Sequence, residues 1–236
     1  MKELVPRISS AIALIALFTV HTASAAYIIE VDTDGADDGV LTYNSNFSFG
    51  GDTTTASQSA ASSAYGMTGG DSIFGGNGVS LPDTYVFTYD PLVDADNLAI
   101  PAGTQLGEAG YSSYATGQAG GVPGIYSVYA TWPITIGVTG GDTRFAGSTT
   151  GDSFVTDFDQ NGDGITGTGH YWYKVGEITW NSGAITVTMQ PTVDNSYVSM
   201  RAAGMLFEYE QIPEPSVLAM LGFGSFLMWV RRRLMF

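Results

Sequence analysis

Thr84-Tyr85-Val86-Phe87-Thr88-Tyr89 alternates without a break. In an extended chain successive side chains point to opposite faces, so Tyr85, Phe87 and Tyr89 share one face and Thr84, Val86 and Thr88 the other. An aromatic face backed by a small, mostly polar one describes a strand walling a core, and Pro91 ends it because proline has no amide to give a ladder. Outward from there, Gly124 to Trp132 repeats the pattern with both faces partly covered. Tyr126, Val128, Ala130 and Trp132 line one side, Ile125, Ser127, Tyr129 and Thr131 the other.

Further strands are expected at Tyr27–Val31, closed by Asp32-Thr33-Asp34-Gly35, and at Ile134–Val138, Ser153–Phe158, Tyr171–Trp180, Ala184–Gln190 and Tyr197–Tyr209. Ile185, Val187 and Met189 should face the core, with Thr186, Thr188 and Gln190 toward water. Asn181-Ser182-Gly183 reads as a hairpin turn. Residues 50–78, rich in Gly, Ser, Thr and Ala, read as long loops with one or two short strands, and residues 90–124 as an extended excursion. No amphipathic helical period of useful length occurs before Ser216. Many short strands separated by turns predict an all-β domain, a β-sandwich.

The two ends of the chain read differently. Lys2 and Arg7 precede an apolar run from Ile8 to Val20, and Ala23-Ser24-Ala25 offers a small-residue cleavage site, so residues 1–25 are expected to be a signal peptide. Its partners would be the Sec translocon and signal peptidase. At the other end Pro213-Glu214-Pro215 cannot enter a helix interior, Ser216 can cap one, and Val217 to Val230 carries no charge before Arg231-Arg232-Arg233. Fourteen residues rising about 1.5 Å each reach about 21 Å, short of a hydrocarbon core of about 30 Å, and that length alone suits a buried helix. Arginine stems that snorkel and Trp229 at an interface turn the reading to a single transmembrane helix, 217–230, with the arginines cytoplasmic.

Between these ends, residues 26–210 suffice for one domain. The chain has 23 acids and eight Lys plus Arg; setting aside Glu3, Glu214, Lys2, Arg7 and the three terminal arginines leaves 21 acids against Arg144, Lys174 and Arg201. So acidic a body has nothing to replace the counterions of phosphates, which argues against nucleic acid as a partner. With no cysteine, disulfides and thiolate metal sites are excluded, and the fold must rest on its core.

Pro213-Glu214-Pro215, an apolar helix and an arginine cluster, in that order at the carboxyl end, resemble the PEP-CTERM sorting signal of exopolysaccharide-producing Gram-negative bacteria. The resemblance covers residues 211–236. It implies recognition by a membrane-embedded exosortase, with Pro213, Glu214 and Pro215 as the recognition element and Arg231, Arg232 and Arg233 as the basic end. It further implies an inner-membrane-anchored intermediate and a product at the cell surface or in the extracellular matrix. A second likeness runs through Tyr126-Ser127-Val128-Tyr129-Ala130-Thr131-Trp132-Pro133, Asp159-Gln160, Trp172 with Val175-Gly176, and Gly183. This set is similar to golvesin C-terminal-like domains, relatives of the carbohydrate-binding-like domain of xanthan lyase, and implies a jelly-roll sandwich. Ala202-Ala203-Gly204-Met205 and the long 90–124 stretch depart from that pattern.

Three constellations could carry chemistry. Asp157, Asp159, Asn161 and Asp163 set oxygens at alternating positions with Gly162 at the sixth, which fits either an acidic turn or a Ca²⁺ loop; Thr168 stands where an EF-hand has its bidentate Glu. Asp32, Asp34, Asp37 and Asp38 form a second acidic group, a solvated turn or a Ca²⁺ loop. Gly162-Asp163-Gly164-Ile165-Thr166-Gly167 spells a dinucleotide fingerprint but precedes a strand instead of a helix. Trp172 is expected in the core, with Tyr171 and Tyr173 on the opposite face as possible glycan contacts. His170 is the lone histidine after the leader and no G-x-S-x-G occurs, so no enzyme is expected, although paired carboxylates could serve a polysaccharide hydrolase or lyase. The sequence thus points to an exported, exosortase-processed surface or matrix protein that contacts exopolysaccharide, or to a structural biofilm or adhesion component without a defined glycan.

Overall fold

A computed structural model describes residues 24–51, 55–57, 62, 64–75, 83–100, 105–106, 113–114, 121–133, 142–160, 171–192 and 200–210. These contain strands and no helix. The expected strand at Ile134–Val138, the leader up to residue 23 and the tail from residue 211 lie outside them. Among the described residues no helix is long and apolar enough to cross a membrane.

In chain order the strands are β1 (Ser24–Glu30), β2 (Phe47–Gly50), β3 (Thr55–Ser57), β4 (Ser72–Gly75), β5 (Thr84–Tyr89), β6 (Leu98–Ile100), β7 (Gln105–Leu106) and β8 (Ser113–Tyr114). They continue with β9 (Gly124–Thr131), β10 (Thr143–Ser148), β11 (Ser153–Phe158), β12 (Tyr173–Trp180), β13 (Ile185–Pro191), β14 (Met200–Ala202) and β15 (Gly204–Glu210). One five-stranded sheet runs β12-β9-β15-β1-β6 and a second β11-β10-β13-β5-β2. A three-stranded sheet, β14-β4-β3, and a β7-β8 pair complete the set. Every pairing is antiparallel.

The two large sheets face one another across a single aromatic-rich core. Tyr85, Phe87 and Tyr89 of β5 are all buried, as the alternation requires, and so are Ile185, Val187 and Met189 of β13. Across the gap Tyr27 stacks on Tyr89 at 4.6 Å and Tyr89 meets Phe207 at 5.2 Å, while Trp132 packs against Phe145 at 6.0 Å. β9 is covered on both sides. Its even positions join this core, and Tyr129 joins a second cluster with Ile28, Ala64, Ile100, Leu106, Trp172 and Leu206. The 90–124 excursion supplies β6 and Leu106 to that outer cover, and residues 50–78 supply the short strands β3 and β4.

Two expectations are corrected. Asn181-Ser182-Gly183 does not close a hairpin, because β12 pairs with β9 in the first sheet while β13 pairs with β10 and β5 in the second. The turn instead carries the chain across the core, with Gly183 at φ 75° and its carbonyl accepting Trp180 Nε1 at 2.6 Å. Tyr173 is fully buried rather than exposed, stacked on Trp132 at 4.7 Å. The cause is a register shift between Lys174 and Gly176. A bulge moves every later residue to the opposite parity. Tyr173 and Val175 therefore share the inner face with Ile178 and Trp180, and Trp172 turns to the outer cluster, its Nε1 donating to Tyr65 O at 2.8 Å.

The expected 197–209 strand is divided at Ala203 into β14 and β15, and β2 and β10 add strands. β1 and β15 lie side by side, with Ala26 opposite Glu208 and Glu30 opposite Gly204. The start of the domain and its last described residue therefore emerge at one end. The loop after Glu30 opens at the other.

Candidate functional site

At that far end Val31 N still reaches Ala203 O (2.8 Å), and then the chain leaves the sheet. The Asp32 side chain turns inward: Oδ1 accepts Thr42 N at 2.8 Å and Oδ2 accepts Asp71 N at 3.0 Å. One carboxylate thus closes the 32–43 loop and fixes it to the segment before β4. Asp34 accepts from Ala36 N (2.8 Å) and Thr42 Oγ1 (2.7 Å), which holds its carboxyl below the ordinary value, and Asp38 accepts from Val40 N (2.9 Å). Asp71 Oδ2 accepts Gly39 N at 2.5 Å. Beside them Glu30 accepts from Thr68 N and Oγ1. Burial raises the Glu30 pKa more than those bonds lower it, and the charge of Asp32 adds to the rise.

The same loop delivers Tyr43, which pairs with Asp32 as an isolated bridge. Tyr43 is 39% exposed and Phe49, on edge strand β2, is 45% exposed; their rings lie 4.7 Å apart, tilted by 40°. Behind them sits buried Phe47, 5.9 Å from Tyr43 and 4.9 Å from Phe87 of the core. The aromatic interior thus continues to the surface at this corner. Val40 adds an exposed apolar side chain, and Asp34, Asp37 and Asp38 of the same loop are exposed carboxylates. Aromatic faces take the C–H faces of sugar rings, and carboxylates accept from sugar hydroxyls.

The residues singled out from sequence are dispersed. Tyr171 is half-buried against the core and Tyr173 offers no surface, so the expected glycan face on that strand is not formed. Asp157 is held in a bidentate pair with Arg144, Nε to Oδ1 and Nη2 to Oδ2, both 2.8 Å, which lowers its pKa. Both of its oxygens are engaged. Asp159 faces Arg201, whose burial pulls its pKa down to about 10 against the opposing pull of Asp159. Asn161 and Asp163 lie outside the described residues, as do His170 and the tail residues Pro213, Glu214, Pro215, Arg231, Arg232 and Arg233. Among the described residues no group of three or more His, Cys, Asp or Glu is gathered as a metal site.

Tyr43, Phe49 and Asp71 went unread in the sequence. The Phe47-Ser48-Phe49 alternation is the one local signal for the aromatic pair. Asp71 has none, since its role comes from the 39 positions that separate it from Asp32. No protein-family model matches this chain, and no curated protein matches it.

Proposed function

We propose that this chain is an exported surface or matrix protein, delivered by its leader and PEP-type tail and processed by an exosortase. Its acidic domain then meets exopolysaccharide through the far-end corner built on Tyr43 and Phe49. The reading treats the domain as a jelly roll. Taking only the long strands β1, β5, β9, β10, β11, β12, β13 and β15 in chain order, the sheets read first–eighth–third–sixth and second–seventh–fourth–fifth, with β6 and β2 added at edges. Cleavage after Ala25 would keep all five β1–β15 pairs, which start at Ala26, and would remove the Ser24–Ile100 and Ala25–Ala99 pairs of β1 with β6.

The observation that carries the proposal is the placement of the exposed aromatic pair at the end opposite Glu210, the last described residue before the tail. An anchored domain presents that end outward. Its partner is a glycan without strong negative charge, since Arg144 and Lys174 are already in ion pairs and Arg201 is buried. The domain acts by binding, not catalysis.

The test is retention of the full chain on the host's exopolysaccharide. Replacing Tyr43 and Phe49 together by Ala should lower retention about tenfold, the scale of two lost stacking contacts. Equal retention by both proteins would make this a structural matrix component with no defined sugar site. Turnover of the polysaccharide would favour the hydrolase or lyase reading.

A further inference from the structure

Asp32 and Asp71 are each 2% exposed and touch through the Asp71 N to Asp32 Oδ2 bond. Both carboxylates lie inside the 32–43 loop, the second because its Oδ2 takes the Gly39 amide. Asp71 Oδ1 is buried beside them with no hydrogen-bond partner. A buried carboxylate oxygen left without a donor is costly, and two adjoining buried carboxylates without a countercharge are more so.

Among the described residues no Lys or Arg supplies such a countercharge here. Between Ala26 and Glu210 the chain has three Lys or Arg. Arg144 is paired with Asp157, Lys174 with Glu177 and Glu210, and Arg201 Nη1 donates to Pro133 O at 2.6 Å. Glu30 adds negative charge on the same flank, close enough for Asp32 to raise its pKa, without joining the pair as a three-carboxylate group.

We infer that a hard divalent cation, Ca²⁺, binds between the 32–43 loop and Asp71, taking Asp71 Oδ1 as its principal carboxylate ligand. Ca²⁺ accepts six to eight oxygens of mixed origin, so a site with few carboxylates is completed by main-chain carbonyls and water, which a Zn²⁺ site of nitrogen and sulfur donors is not. Gly69 O lies at this seam, 3.2 Å from where a Cβ on Gly35 would stand. The bound ion would fix the loop that carries Tyr43 without touching the aromatic pair. This inference is independent of the glycan reading.

The experiment is thermal melting of the full chain with CaCl₂ or with chelator, beside calorimetric titration of the wild-type protein with CaCl₂. Ca²⁺ at about a hundredfold excess over its Kd should raise Tm by about 5–10 °C. Asp71→Asn should abolish both the shift and the heat of binding, and Asp157→Asn should keep both. A wild-type melt and titration unaffected by Ca²⁺ would overturn the inference. So would loss of the response in Asp157→Asn with its retention in Asp71→Asn, which would move the ion to the other acidic loop. If Asp71→Asn fails to fold, Asp32→Asn tests the same pair. Stability that rises on acidification without any Ca²⁺ response would assign a shared proton and overturn it equally.

Discussion

Gln160 does the work of a strand with one side chain. Its Oε1 accepts Arg201 N at 2.9 Å and Thr143 Oγ1 at 3.2 Å, its Nε2 donates to Arg201 O at 2.8 Å, and its own carbonyl takes Trp132 Nε1 at 3.0 Å. Gln160→Ala would leave the buried Arg201 amide and carbonyl unpaired, each costing about 1–3 kcal/mol. The expected loss is about 2–4 kcal/mol in a urea titration, and a loss below about 0.5 kcal/mol would show that β14 finds another partner. Asp152 is a second residue with a definite sign. Its Oδ2 accepts Thr179 N (2.7 Å) and its Oδ1 Ser153 N (2.8 Å), which depress its carboxyl below the ordinary 3.8. A depressed acid stabilises the fold above its unfolded pKa and loses that contribution as pH falls through the folded value. Asp152→Asn should therefore be less stable than wild type at neutral pH, with the gap closing below about pH 4. A gap unchanged with pH would mean that the carboxylate charge is not what matters. Neither residue could be ranked from sequence, because a glutamine and an aspartate in turns look alike until their distant partners are known.

Elements were legible where the period of two was unbroken and filled with apolar residues. β5 and β13 fall close to their expected bounds, since Tyr85, Phe87 and Tyr89 or Ile185, Val187 and Met189 leave no other face to bury. β10 was not legible, because Thr143, Phe145 and Gly147 make up its inward face and two of the three carry no hydrophobic signal. β12 was found but misfaced, because a bulge has no compositional mark and reverses parity within the strand. The glycine in that bulge has a packing reason. Phe154 of β11 lies across Gly147 of β10 and Gly176 of β12, where added Cβ atoms would stand 2.0 and 2.4 Å from its ring. This ring joins the edge of one large sheet to the edge of the other. Gly147→Ala should cost about 1–3 kcal/mol by overpacking. Combined with Phe154→Ala the cost should fall well short of the sum of the two single changes, since the clash disappears with the ring. Additive losses in a double-mutant cycle would show that the ring does not rest on Gly147.

At the scale of the whole molecule, the β1–β15 pairing and the strand order decide which surface can meet a partner. Ala26 and Glu210 leave from the end that also carries the 181–183 turn, since Trp180 pairs with Gly124 and Ile125 with Glu210. The Asp32–Tyr43 loop, Asp71 and the start of the 157–163 loop gather at the other end, where Glu30 faces Gly204 and Phe158 faces Thr143. The Asp32–Asp38 loop and Asp157, from the two acidic stretches picked out from sequence, thus share one pole, which the linear chain could not reveal because 119 positions separate Asp38 from Asp157. If the tail holds the domain at a membrane, that pole faces away from the lipid, and its carboxylates avoid an anionic headgroup surface. The absence of cysteine makes the orientation measurable, since any introduced thiol is unique. Asp37→Cys and Ser182→Cys are both exposed positions at opposite ends. On cells retaining the uncut tail, a bulky membrane-impermeant maleimide should label Asp37→Cys several-fold faster than Ser182→Cys. Proteolytic release of the domain should make the two rates equal. Equal labelling before release would mean that the domain does not stand on its tail, and the outward presentation of Tyr43 and Phe49 would lose its basis.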